Sequence, residues 1–168
     1  ETVLASLADL SPAPKIRVTS TDGTLALELP SGWSQDTIPA RSPDGVLKLD
    51  HGDGYVTVYL DPLVHTDQEL NDRLTGLKKT RWFYPTPEIA FPYGTYVTKK
   101  REYWMGFLKF ETRSYDIAGT DVTEAEFKKI VTALALGSRD IIVAPPQWVK
   151  TKDGLLEFPF PRNFTRIS

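Results

Sequence analysis

Two tetrapeptides set the limits within which this chain of 168 residues can fold: Thr66-Asp67-Gln68-Glu69 and Thr123-Glu124-Ala125-Glu126. Each has the form of a capping box, in which the Thr hydroxyl accepts from a free amide of the first helical turn and the Glu carboxylate reaches back to the amide of the Thr. Each is followed by apolar residues at helical spacing. Leu70, Leu74 and Leu77 follow the first, and Lys78-Lys79 stand where a helix C-terminus favours positive charge, so the expected helix runs to about Lys79. Phe127, Ile130, Val131 and Leu134 follow the second, with an end expected near Gly137.

Between and before these helices the apolar period is two. Ile16 and Val18 alternate, Asp22-Gly23 signals a turn, and Leu25, Leu27 and Leu29 recur at every second position up to Pro30, predicting a strand with one buried face. A second hairpin joins Val46–Leu49 to Tyr55–Leu60 through Asp50-His51-Gly52-Asp53-Gly54, where the glycines supply the positive φ of a tight reversal. The stretch from Pro85-Thr86-Pro87 to Pro92-Tyr93-Gly94 reads as a loop. Thr95–Thr98 and Tyr103–Ile117 are rich in aromatic and β-branched residues and read as long strands about a polar turn, Lys99-Lys100-Arg101. The expected fold class is α+β, an antiparallel β-sheet with helices packed on its faces.

The expected organisation is an N-terminal arm over residues 1–14, ending in Ser11-Pro12-Ala13-Pro14, an α+β domain over 15–137, and a C-terminal extension over 138–168. The extension holds an internal echo. Val18 to Ser34 aligns without gaps on Val149 to Thr165, sharing a Val, polar residues, Asp-Gly, apolar residues, a Pro and an aromatic. Two readings remain open: an added edge strand that merely looks alike, or the start of a second repeat.

Composition narrows the chemistry. The chain has no cysteine, which excludes disulfides, thiol nucleophiles and zinc-thiolate sites. Net charge is −2, and the basic runs at Lys78-Lys79, Lys99-Lys100-Arg101 and Lys128-Lys129 are short and separated, unlike the concentrated basic face that nucleic acid requires. No run approaches the roughly 18 apolar residues of a spanning helix. The chain opens at Glu1, which leaves room for an upstream signal segment or lipid anchor.

Catalytic motifs are absent from the sequence. His51 lies in a hairpin turn and His65 beside a helix cap, and neither belongs to a nucleophile elbow, a zinc-binding helix or a phosphate-binding loop. No catalytic residue, cofactor or metal ligand is assigned, and an enzyme is not expected. Trp82-Phe83-Tyr84, beside Arg81, and Trp148 are the candidate partner-binding residues, because aromatics near arginine anchor many protein interfaces. The alternative is a divalent-metal-binding or small-molecule-binding domain, with hydrolytic activity as an option, on the acidic segment 44–67. There Asp44, Asp50, Asp53, Asp61 and Asp67 face a single lysine, Lys48.

The strand ending in Leu29-Pro30-Ser31-Gly32-Trp33, the hairpin Val46 to Leu60, the capped helix from Thr66, the long strands through Ile117 and the helix Phe127 to Leu134 together resemble the PsbP-like family. That family comprises the photosystem II extrinsic protein, its Ran-binding relatives and bacterial periplasmic or secretion-associated members. The resemblance covers about residues 15–137. It implies an antiparallel sheet with helices on its faces and a non-enzymatic role, docking on a larger protein, in a periplasmic or otherwise extracytoplasmic setting with a cytoplasmic one as the alternative. It carries over no site residue.

Overall fold

In the computed structural model, residues 15–110, 112–143, 147–150 and 157–160 are described, with the backbone alone from residue 140 onwards. The N-terminal arm expected over 1–14 lies outside the described residues. The first hairpin pairs β1 (Arg17–Thr19) with β2 (Ala26–Glu28) as a two-stranded sheet of its own. Its turn follows from its sequence: Gly23 takes a φ of +71°, and the Asp22 carboxylate accepts from the hydroxyls of Ser20 (2.5 Å) and Thr24 (2.6 Å). Leu25 and Leu27 are fully buried, but so is Ala26 between them. The strand is therefore covered on both sides, not on one.

Seven further strands form the main sheet, in the order β3 (Ser34–Asp36), β4 (Gly45–His51), β5 (Gly54–Asp61), β9 (Ser114–Thr120), β8 (Glu102–Lys109), β7 (Ile89–Val97) and β6 (Lys78–Thr86). Every neighbouring pair is antiparallel. Helix α1 (Asp67–Leu74) packs on one face and α2 (Glu124–Val143) on the other. The fold is α+β with helices on the faces of an antiparallel sheet, as the sequence predicts.

Three boundaries differ from expectation. Helix α1 stops at Leu74, five residues before Lys79, because Thr75 turns its hydroxyl onto the carbonyl of Asp72 (2.6 Å) and Lys78 already belongs to β6. Leu77 keeps its place in the apolar cluster from the connecting turn. The stretch from Pro85 to Pro92 is a hairpin, not a loop. Pro85 sits on β6, an edge strand, where a missing amide costs no ladder bond, and β8 pairs with β7 only from Tyr93 onward, so the missing amide of Pro92 is not needed there. Helix α2 continues past Gly137 to Val143. This glycine does not cap the helix: a Cβ there would stand 2.3 Å from the carbonyl oxygen of Ala26, so its role is close approach to β2.

The main core lies between the sheet and α2. Phe91, Tyr93, Trp104 and Phe127 stack around one another with ring centroids 5.8 to 6.3 Å apart. Phe91 fills the space over Gly106, where a Cβ would lie 2.1 Å from its ring. Trp33 is buried in the same core and stacks on His51 at 4.9 Å. The imidazole Nδ1 of His51 lies 2.9 Å from the carbonyl oxygen of Gly32, and Nε2 lies 3.2 Å from Glu126 in the first turn of α2. The Pro-x-Gly-Trp motif and His51 thus serve to fasten the β4–β5 turn to the helix.

Candidate partner-binding face

Side chains alternate along β6, and the alternation divides the expected aromatic triplet. Phe83 points towards α2, packs against the main core and receives the Lys128 ammonium 4.7 Å above its ring. Arg81, two residues earlier, reaches the same side and meets Glu124 at 2.8 Å. The Glu124 carboxylate also accepts from the Tyr93 hydroxyl (2.6 Å); burial first, and then this carboxylate, push the phenol up to about 12. Trp82 and Tyr84 point the other way and are 43% and 61% exposed. The three do not form one surface: two are available and one is packing.

Strand register adds residues the sequence reading left out. Trp82 is opposite Pro92 on β7, and residues at every second position from Pro92 share its face, which brings in Tyr96, itself 49% exposed. Tyr96 is in turn opposite Tyr103 on β8. Trp82, Tyr96 and Tyr103 therefore share the sheet face opposite α2 but at two separate places, with the Leu77 side chain lying over Gly94 between Pro92 and Tyr96. The turn Lys99-Lys100-Arg101 lies between Tyr96 and Tyr103 in the chain, and Lys79 on β6 is paired with Glu102 at 2.9 Å. The signal for Tyr96 and Tyr103 lay in their positions on either side of the turn Lys99-Lys100-Arg101, and the ladder sets them opposite each other.

The triplet is on a strand at the edge of the sheet, not in a loop. Its ladder with β7 is regular only around Arg81 to Phe83, with register shifts on either side, and it carries lysines and a proline. Bulges, lysines and prolines are how soluble sheets discourage indiscriminate edge pairing. What the edge leaves open is the aromatic face, more than its backbone.

The acidic segment does not converge. Lys48 bridges Asp36 and Asp50, Asp67 is 3.4 Å from Lys109, and Asp61 belongs to a separate cluster with residues of α1 and the turn before it. There Asp61 meets His65 at 2.6 Å and Arg73 at 2.9 Å, and Arg73 continues to Asp116 at 2.6 Å while its guanidinium lies 4.2 Å from the Phe107 ring centroid. Burial acts to raise the Asp61 carboxyl, but the Leu63 amide, His65 and Arg73 outweigh it and leave the group below its ordinary value of 3.8. Of the five aspartates of the segment, Asp50, Asp61 and Asp67 are each matched by a cation. Among the described residues no three His, Asp or Glu side chains gather as a metal site would need, so segment 44–67 offers the alternative reading no common centre.

Trp148 falls in β10 (Gln147–Lys150), which pairs with β11 (Glu157–Phe160) as a separate two-stranded sheet, away from the β6 edge in hydrogen bonding. The ladder gives it no place beside Trp82. No described helix is long and apolar enough to cross a membrane.

No protein-family profile and no curated protein matches the chain. Among solved structures, the chain is similar to the solution structure of the cyanobacterial PsbP (CyanoP) from Synechocystis sp. PCC 6803, with a TM-score of 0.43 and 12% sequence identity over 77% of this chain and 92% of that one.

Proposed function

We propose that the chain is a non-catalytic docking domain that holds a larger protein against the sheet face bearing Trp82 and Tyr84. The observation that carries the reading is the division of the triplet: Phe83 is used by the core, while its two neighbours present large aromatic surface to solvent. Exposed Trp and Tyr at a well-supported position are the residue types that dominate interface energetics. Further along the same face Tyr96 is also exposed, and Lys99 and Lys100 in the turn beyond it would suit an acidic partner surface that reached that far. The extracytoplasmic setting rests on the sequence resemblance alone.

The test is affinity capture from the native host, identified by mass spectrometry, with the double variant Trp82→Ala, Tyr84→Ala run beside the parent. A dominant partner retained by the parent and lost by the variant, with the far-UV spectrum and melting cooperativity unchanged, supports the reading. A partner held equally by both removes it.

A further inference from the structure

The hairpin at the C-terminal end reproduces the first hairpin in more than composition. An offset of 131 residues carries the pairs Arg17↔Glu28, Val18↔Leu27 and Thr19↔Ala26 onto Trp148↔Pro159, Val149↔Phe158 and Lys150↔Glu157, each of which is a pair of the second ladder. The fourth pair, Gln147↔Phe160, falls on Ile16 and Leu29, where the Leu29 amide donates to the Ile16 carbonyl at 2.8 Å. The same gapless alignment found in the sequence thus recurs as the same register. Register is fixed by turn geometry and by which side chains must be buried, so agreement at four successive pairs argues for one inherited unit over two similar strands.

The substitutions follow the burial of the first copy. Val18, Leu25 and Leu27 are buried, and their counterparts are Val149, Leu156 and Phe158. The turn pair Asp22-Gly23 has its counterpart in Asp153-Gly154, and Ala13-Pro14, before the first hairpin, in Ala144-Pro145 before the second. A two-stranded hairpin is marginal alone; the first is held by α2, where the Ala26 amide bonds the Ser138 hydroxyl at 3.0 Å and Gly137 leaves no room for a Cβ. Ala26 is fully buried there, and its counterpart in the sequence is Glu157, a residue type rarely buried without a partner. The second hairpin is therefore not a substitute for the first on α2, and among the described residues there is no other helix of that kind to receive it.

We infer that β10–β11 is the opening hairpin of a second copy of this domain, joined to the first by the short segment 144–146, and that the protein is a tandem of such modules. The inference does not depend on the docking reading.

Hydrogen exchange, read by mass spectrometry on the full-length gene product and on the 168-residue chain, tests it. In the full-length product, amides of 147–150 and 157–160 are expected to be protected as well as those of 17–19 and 26–28. In the 168-residue chain the second set should lose protection by roughly 100-fold or more while the first is unchanged. Equal protection of the second set in both would place the hairpin on the first module and overturn the inference. So would its lack of protection in both, or a gene that ends at Ser168 or continues without a second pair of capping boxes.

Discussion

The two faces of the main sheet are covered by opposite means. On one, α2 runs for 20 residues over a continuous apolar core, and glycines at 106 and 137 let rings and backbone approach where a side chain would collide. On the other, α1 has 8 residues, buries Leu70 and Leu74 against Phe107, and is tied down by the chain of charges from His65 through Asp61 and Arg73 to Asp116. The first face is spent on stability. The second leaves aromatic surface free, and it is there that Trp82, Tyr84 and Tyr96 are exposed. A sheet with one face filled can hold its shape while the other is open to a partner.

Four measurements can break or sharpen this contrast. Phe127→Ala, which removes a fully buried ring from among Phe91, Tyr93 and Trp104, should cost about 3–5 kcal/mol in urea denaturation. Leu70→Ala on the other face should cost about 2 kcal/mol, near the lower end of such changes, because its small cluster can relax. A cost equal to that of Phe127→Ala would mean that the two faces contribute alike.

The third measurement concerns the charged tether. Because the folded Asp61 carboxyl titrates below 3.8, its contribution is fully present above that pH and is lost as pH falls through the lowered folded value. The stability difference between the parent and Asp61→Asn should therefore shrink as the solution is made more acidic from about pH 5 downward. A difference that grew on acidification would contradict the ion-paired description. Smallest of all should be Tyr84→Ala, within about 0.5 kcal/mol of the parent, since its side chain is mostly in solvent. A larger loss would assign Tyr84 to the fold and weaken its claim as a contact.

The helix starts were legible because a capping box is local chemistry: both boxes form, with Thr66 and Glu69, and Thr123 and Glu126, exchanging their bonds at 2.7 and 3.2 Å. The helix ends were not. Leu77 continues the apolar period after the helix has stopped, and Gly137 looks like a cap while serving a contact with Ala26, more than 100 residues away in the chain. Proline misled in the same way, since Pro85 and Pro92 are compatible with strands only once the sheet order puts their missing amides where no partner asks for them.

The candidate face was half legible. Trp82 and Tyr84 were picked out by residue type, but period-two alternation assigns Phe83 to the core only after the side of the strand is known. Tyr96 and Tyr103 become neighbours of each other through cross-strand register.

By itself, then, the sequence determined what depends on near neighbours: the two helix starts, the Asp-Gly turns, the α+β class and the absence of thiol chemistry. The tertiary structure alone decided the sheet order, which face each helix covers, where the aspartates find their cations and which aromatics remain in water. The physical reason is range. Caps and turns are closed by bonds across a few residues, whereas burial and charge pairing depend on which distant strands lie side by side.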